Sequence, residues 1–233
     1  MTYTPIPAGT QNWDVPVNAA FTDQDGRIAV NEGDINAIEI VNNTQSSDIA
    51  TLQGETSALR NGQWTPQNQN LIAWTMDPSQ AANTFLAVSG TIFFIGLQIS
   101  VSVTVNNMVV LVNNAGSGLT AGQNLVGIYD AAGNLLGVSA DQSTDWLSSG
   151  IKVVPLLTPV NLTPGVYYVA LLSNGTTPIT TVRETNLSVG SINVGLTAAT
   201  ARIAELAGQT TLPATVTPAS RSLGNSSLWA ALS

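Results

Sequence analysis

The chain contains no cysteine and no histidine among its 233 residues. Disulfides, thiolate nucleophiles, imidazole bases and Cys/His metal sites are therefore excluded, and no metal or cofactor is expected. Charge is scarce as well: 9% of residues are charged, against about 25% in typical soluble domains. With 14 acidic and 6 basic residues the net charge is −8. A phosphate-tracking groove, and with it a nucleic acid partner, is not expected.

Long uninterrupted apolar runs are also missing. The most apolar region, "FLAVSGTIFFIGLQISVSVTV", begins at Phe85 and is broken by Ser, Gly, Gln and Thr. Its second half alternates Val101, Val103 and Val105 with Ser and Thr, a period of two that is typical of strands. Insertion into a membrane is therefore not expected. The start of the chain also lacks the basic and apolar regions of a secretory signal.

The first segment, residues 1–33, is rich in proline and shows no helical period. Pro5, Pro7 and Pro16 surround Gly9, so we predict an extended, stiffened arm. Within it "TDQDGRI", Thr22 to Ile28, resembles the start of a calcium loop. The later ligands and the closing Glu are not at the required spacing, so the interpretation is a turn.

The second segment, residues 34–62, repeats with a period of seven. Position a of the heptad holds Ile35, Asn42, Ile49 and Thr56, and position d holds Ile38, Gln45, Leu52 and Leu59. β-Branched residues at both positions favour three strands over two, so we predict a short parallel trimeric α coiled coil. The polar layers weaken the assembly but specify its register. The same register brings Glu55 of one chain to Arg60 of the next as an ion pair. The alternative is an amphipathic helix packed on its own domain.

The third segment, residues 63–233, consists of short apolar or alternating runs separated by Gly, Pro and Asn. These runs predict an antiparallel β-sandwich of jelly-roll type. The "SSLWAALS" terminus is expected to pair as a last strand, and the segment from Leu196 to Gly208 is open between a short helix and an irregular crossing. The predicted strands are Leu71–Thr75, Thr91–Leu97, Ser100–Val105, Met108–Val112, Leu125–Tyr129, Asn134–Val138, Ile151–Leu156, Gly165–Leu172 and Ile179–Val182.

One loop of this segment, "SADQSTDWLSSG", holds candidate ligand-binding residues. Asp141 and Asp145 lie close to Trp146 in the sequence, and paired acids beside an aromatic suit sugar binding or glycoside cleavage. The alternative is a solvated loop whose Trp146 plugs the edge of the sandwich. Both interpretations stay open at the level of sequence.

Two stretches carry a resemblance to a known kind of protein. "GTQNWDVPVNAAFTDQDGRI" followed by heptads resembles the start of short fibre proteins in tailed bacteriophages, particularly those of actinobacteria. The block from "AGSGLTAGQNLVGIYDAAGNLLGV" to "LTPGVYYVALL", with the closing "SLWAALS", is similar to their C-terminal β domain. The resemblance implies a homotrimer on the virion, an N-terminal arm anchored to other virion proteins through Trp13 and Pro16, and an outward β tip.

The function expected from this resemblance is structural. A homotrimeric fibre, spike or minor tail protein would attach the virion to the host surface, with a host glycan as the contact. Capsid decoration, as a head fibre, is one alternative, and a carbohydrate-active enzyme is another. We expect no catalytic residue.

Overall fold

The structure is a computed structural model that describes residues 14–61, 64–184 and 188–233, and over 14–18 and 54–61 the backbone alone. The chain divides into a helical unit and a β unit that begins at Trp64. Each unit is described by itself. Trp13 lies outside the described residues, and the side chain of Pro16 lies outside them as well.

The helical unit consists of α1, Asp14–Asn61, which is 48 residues long. The expectation of an extended arm through residue 33 is therefore wrong over residues 14–33, and "TDQDGRI" is helical where a turn was expected. At ~1.5 Å per residue the 48-residue helix is roughly 70 Å long, about 1.7 times the length that the segment 34–62 predicts. Neither described helix is both long enough and apolar enough to cross a membrane.

The early start of α1 has a physical explanation in its first turn. Pro16 is the third residue of the helix, where the backbone N–H has no partner within the helix and is not missed. Gly26 and Gly33 weaken the helix without ending it, because glycine in a helix interior costs about 0.5–1 kcal/mol relative to alanine. From Asp14 onward the chain is therefore helical, although its proline and glycine content suggested an extended arm.

Replacing Gly26 with alanine should stabilise α1. A Cβ atom at Gly26 meets nothing within 4 Å, so the gain is the reduced backbone entropy of the unfolded chain, about 0.5–1 kcal/mol per chain. The measurement is the thermal midpoint of helix unfolding followed by circular dichroism at 222 nm. Ala29→Gly, one turn away, is the reverse control and should lower that midpoint. Equal midpoints for the two variants would contradict a helix through this region.

Serine and threonine side chains in the middle of α1 donate hydrogen bonds to backbone carbonyls of the preceding turn. Thr44 Oγ1 donates to the Ile40 carbonyl at 2.9 Å, and Ser46 Oγ donates to the Asn42 carbonyl at 2.8 Å. Thr51 Oγ1 donates to the Ser47 carbonyl at 3.0 Å. These i to i−4 bonds satisfy hydroxyls that otherwise compete with the helical backbone, so the polar run stays helical.

Over residues 64–184 and 188–233 the β unit contains twelve strands and one short α-helix, α2, Val189–Ile192. All strand pairings are antiparallel. The strands are β1 (Ala73–Trp74), β2 (Asn83–Leu86), β3 (Ile92–Ile99), β4 (Val103–Asn114), β5 (Ser117–Asp130), β6 (Leu135–Val138), β7 (Gly150–Leu162), β8 (Gly165–Thr177), β9 (Thr180–Arg183), β10 (Ile203–Leu206), β11 (Ser222–Leu223) and β12 (Ala230–Leu232).

The strands form two sheets of six. Sheet A has the order β1-β12-β4-β9-β2, with β7 also paired to β4, and sheet B has the order β11-β10-β3-β8-β5-β6. The mainly β fold with antiparallel sheets is confirmed, and so is the pairing of the C-terminus as a last strand. Two predicted strands merge into β4, whose pairing with β7 is irregular between Val105 and Asn107. The undecided segment from Leu196 to Gly208 contains β10.

The principal core lies between the sheets. Alternate residues of the longer strands contribute to it, as the period of two requires. Phe93 and Ile95 of β3 belong to the same buried cluster as Met108 and Val110 of β4. A second cluster covers the other face of sheet B, and it includes Phe94 and Tyr168. Because β3 is buried on both faces from Ile92 to Ile95, its sequence is apolar without interruption up to Leu97, where one-sided burial would give alternation.

Arg221 holds the loops around Ala199 and Pro218 against the outer face of sheet B. It is buried, and its guanidinium donates to the backbone carbonyls of Ala199 and Pro218 at 3.1 Å each. The same group lies over the Tyr168 ring, 4.6 Å from the centroid. Backbone carbonyls and a ring face replace the water that a buried cation loses. This cation therefore has a structural role.

Candidate functional site

The heptad positions of α1 form a seam that is exposed on the single chain. The side chains at a and d between residues 19 and 53 are all exposed, whether apolar or polar. Of the predicted seam residues, Ile35, Ile38, Asn42, Gln45, Ile49 and Leu52 lie on one side of the helix, as spacings of three and four require. The side chains of Thr56, Leu59, Glu55 and Arg60 lie outside the described residues.

The seam extends further toward the N-terminus than sequence reasoning predicted. Counting back by sevens from Ile35 places Ile28 and Phe21 at position a, and both are large, apolar and exposed. Asn31 and Gln24 fall at position d of the same frame. The signal was present in the sequence, but the prolines before residue 17 and the glycines at 26 and 33 obscured it. Gly26 and Gly33 both fall at position f, on the side away from the seam.

The seam alternates apolar and amide layers. Burying one aliphatic side chain of this size stabilises by about 1.5–3 kcal/mol, so Ile28, Ile35 and Ile49 make the greatest contribution to any association of α1. Amides at Asn42 and Gln45 add little stability, but each must find its partner in the same layer of another helix. The layers thus suit a helix that associates in one register.

Further apolar side chains lie outside the seam. Val30, Ile40 and Val41 occupy positions c, f and g and are exposed. Ile40 is 67% exposed and Ile35 is 55% exposed. Exposure on the single helix therefore does not separate the seam from its surroundings. Only the heptad position distinguishes the seam residues from these others. Ile35 at position a and Ile40 at position f therefore form a matched pair for mutation.

Charges beside the seam favour a parallel arrangement. In parallel coiled coils a residue at g meets the residue five positions on, at e of the neighbouring chain. Arg27 then meets Glu32, in addition to the predicted Glu55–Arg60 pair. Asp34 meets Glu39 in the same way and opposes association. Exposed pairs contribute only about 0.2–1 kcal/mol each, so in any association of α1 these charges would select the orientation and the apolar layers of the seam would supply most of the free energy.

A charge-swap cycle at Arg27 and Glu32 should reveal coupling between chains. Arg27→Glu and Glu32→Arg should each lower the melting midpoint of the assembly, and the double variant should recover most of the loss. Residues five apart do not face each other on one helix, so a single helix predicts additive effects. The measurement is the thermal midpoint by circular dichroism at fixed concentration, analysed as a double-mutant cycle. Strict additivity would contradict a parallel in-register assembly.

The candidate sugar-binding loop lies between β6 and β7, and Trp146 within it is buried. Its side chain is 0% exposed and belongs to the principal core. Its backbone carbonyl accepts from the Gly116 N–H at 3.0 Å, which ties the loop to the start of β5. A fully buried ring offers no face to a sugar, so the prediction of Trp146 as a glycan contact is wrong and the ring plugs the sandwich.

Asp141 bonds to the backbone and holds the loop in place. Its carboxylate accepts from the Asn124 N–H at 3.2 Å and from the Ser143 hydroxyl. Partial burial raises the pKa of Asp141, but hydrogen bonds, the largest from the Gly122 N–H, together outweigh it and hold that pKa below its ordinary value. The general acid of a glycosidase requires a raised pKa. Asp141 is therefore suited to remain an ionised acceptor.

Asp145 is the second acid of the predicted pair, and its side chain is exposed. It begins a short 3₁₀ turn, Asp145–Leu147, that places Trp146 into the core. Asp141 and Asp145 are both exposed, but the carboxylate of Asp141 is engaged by the Asn124 N–H and the Ser143 hydroxyl, and Trp146 is buried. Within the described residues there is no group of three or more acidic side chains that could hold a metal ion. The described geometry thus makes the helix seam the stronger candidate for function.

No protein-family model matches the chain, and no curated protein sequence matches it either. The seam of α1 and the resemblance of the quoted sequence blocks to phage fibre proteins are therefore the features that point to a function.

Proposed function

We propose that the chain is a structural virion protein, a homotrimeric fibre or spike of a tailed bacteriophage that contacts the host surface. The observation that carries the proposal is the exposed seam of α1, in which apolar residues recur at a and d from Phe21 to Leu52. A helix of this length with such a seam requires a partner. Identical helices supply matching apolar and amide layers in one register.

The choice of three strands rests on the residues at a and d. Isoleucine occupies a at residues 28, 35 and 49, and d at residue 38. β-Branched residues at both positions favour trimers over dimers. Asn31, Asn42 and Gln45 reduce stability and specify register. Together these features support a parallel trimeric coiled coil whose described apolar seam begins at Phe21.

The β unit supports the proposed role as the tip. From β2 to β5 and again from β6 to β10, consecutive strands lie in alternating sheets, a connectivity that is compatible with a jelly roll. Its surface is poor in charge, with Ser, Thr, Asn and Gln in place of ionic groups. Such a surface suits weak polar contacts with a neutral glycan, and three copies strengthen a weak contact by multivalency.

The mass of the assembly tests the trimer. Sedimentation equilibrium of the full chain should give three times the 24.1 kDa of one chain. A single-chain mass at all concentrations would refute the proposal. Immunogold labelling of purified virus particles then places the protein, and labels confined to the head would favour the decoration role over attachment.

Adhesion is tested separately from assembly. The purified trimer should be retained on cell-wall polysaccharide from the host of the labelled virus, and a trimer-deficient seam variant should be retained less because it loses multivalency. Lack of retention at millimolar sugar, together with normal adsorption of a virus that lacks the protein, would refute the attachment role and leave the structural role standing.

A further inference from the structure

The outer face of sheet B carries a shallow groove beside the loop that leads into β10. Across β3 and β8, Gly96 pairs with Tyr168 and Gln98 pairs with Val166. These four residues line the groove together with Arg202. Its volume is about 260 Å³, whereas most small-molecule pockets measure about 300–1,000 Å³. The groove therefore suits one unit of a longer chain, such as one sugar of a glycan.

The wall of the groove is the loop 196–202, which is hydrogen-bonded to sheet B. The Tyr168 hydroxyl donates to the Ala201 carbonyl at 2.9 Å, and the Gly96 N–H donates to the Arg202 carbonyl at 2.8 Å. A Cβ atom at Gly96 would lie 3.1 Å from that carbonyl, so glycine permits the close approach of the loop. Because the wall is already held in place, little free energy is spent on ordering it when a ligand binds.

Arg202 is a cation that the β unit does not use for its own folding. It is exposed, and among the described residues its side chain has no hydrogen-bond or ion-pair partner. The other basic residues of the unit donate to a serine hydroxyl or to backbone carbonyls: Lys152, Arg183 and Arg221.

No acidic residue lines the groove. The acidic residue nearest to Arg202 along the chain is Glu205, which shares a face of β10 with Ile203 of the principal core and so points to the inner side of sheet B. The Arg202 guanidinium is therefore available to a negative charge that a ligand brings.

The other exposed groups of the groove match the remaining parts of a sugar. Gln98 and Thr200 are exposed, and their amide and hydroxyl groups both donate and accept hydrogen bonds. Val166 and Leu196 are 50% and 39% exposed and offer apolar contact to the C–H face of a sugar ring. A guanidinium binds a carboxylate or a phosphate through two parallel hydrogen bonds. One acidic sugar unit supplies a partner for each of these groups.

We propose that this groove binds an acidic unit, a sugar that bears a carboxylate or a phosphate, within a mainly neutral glycan of the host surface. Arg202 recognises the negative charge, and the uncharged groups around it contact the rest of the unit. The inference rests on the proposed attachment function, because a polymer presents such units repeatedly to the copies of the groove. The groove lies within one β unit, so its binding is measurable whether or not the chain is trimeric.

Titration of the full chain with paired sugars tests the groove. Tri-galacturonate and tri-galactose differ in their carboxylates, and glucose 6-phosphate and glucose differ in the phosphate. Ligand-observed NMR at millimolar sugar should show at least one acidic probe binding about tenfold or more tightly than its neutral analogue, as expected for hydrogen bonds to a charged group. Whether the carboxylate or the phosphate pair shows the preference identifies the acidic group.

Two variants remove the preference by different means. Arg202→Gln removes the positive charge, and Gln98→Glu places a carboxylate in the groove. Each should lower the affinity for the acidic probe to that of its neutral analogue. Both side chains are exposed, so circular dichroism should show an unchanged fold.

Lys152→Gln is the matched control. It removes one positive charge from the same unit, but Lys152 lies in β7 of sheet A, so the preference should remain. Equal losses from Arg202→Gln and Lys152→Gln would show general charge attraction and overturn the inference.

The outcomes separate this inference from the proposed function. Equal affinity for acidic and neutral probes overturns the groove as an acidic-sugar site, and retention of the chain on host polysaccharide would then leave the attachment role standing. A preference that depends on Arg202, together with normal adsorption of a virus that lacks the protein, keeps the site and refutes the attachment role.

Discussion

Replacing Ile35 with aspartate should convert the assembly into single chains. In the proposed trimer the change removes three isoleucines from one layer, worth roughly 5–9 kcal/mol at about 1.5–3 kcal/mol each, and three carboxylates would have to be buried there without partners. Sedimentation equilibrium at micromolar concentration should then change from three times 24.1 kDa to 24.1 kDa. The β unit has its own core and should keep its circular dichroism spectrum.

The matched control is Ile40→Asp. Ile40 is an isoleucine of the same helix and is slightly more exposed than Ile35, but it occupies position f. The mass should stay trimeric, and the melting midpoint should change little. If both variants keep the mass of the unchanged protein, or both lose it equally, the heptad frame does not describe the interface.

Replacing Trp146 with alanine should cost about 3–5 kcal/mol of the free energy of unfolding of the β unit. Removal of a fully buried indole leaves a cavity between the sheets, which close-packed neighbours fill only in part. For a unit of this size the unfolding midpoint should fall by roughly 6–20 °C, measured by differential scanning calorimetry. Because the indole Nε1 has no hydrogen-bond partner among the described residues, its removal strands no other polar group there.

Leu147→Ala is the control for this change. Leu147 is the next residue in the same turn, but it is exposed, and its truncation should shift the midpoint by no more than a few degrees. Asp145→Ala tests the loop for ligand binding without touching the core. A Trp146 variant as stable as the unchanged protein, but with weakened retention on glycan, would restore Trp146 as a sugar contact.

Much of the fold could be predicted from local patterns. The seven-residue repeat from Ile35 predicted the helix and its seam. Alternation of apolar and polar residues, or short apolar runs, predicted most of the long strands. These patterns are local because residues that share one face of a helix or strand recur with the period of that element. The predicted start of α1 was wrong because proline and glycine were interpreted as helix breaks, although proline in a first turn and glycine in a long helix are both tolerated.

The position of Trp146 illustrates what local pattern did not reveal. Its loop is polar in sequence, and nothing within "SADQSTDWLSSG" indicates which way the ring points. That direction follows from contacts with distant residues: the Gly116 N–H binds its carbonyl, and the Asn124 carbonyl accepts from the Gln142 N–H. The interpretation of Asp141 changed for the same reason: the backbone N–H groups that bind its carboxylate lie about twenty residues earlier in the chain.

The sequence by itself determined the classes of chemistry that this chain lacks, the helix seam and the predominance of strands. Composition and periodicity are enough for these, since they depend on residue types and spacing alone. Only the tertiary structure decided which side chains leave the solvent. It buried Trp146, engaged Asp141 with backbone, and left Ile151 and Val153 uncovered at the edge of sheet A. Burial depends on which strands become neighbours. Antiparallel pairing within each sheet, and packing between the two sheets, bring together residues that are far apart in the sequence.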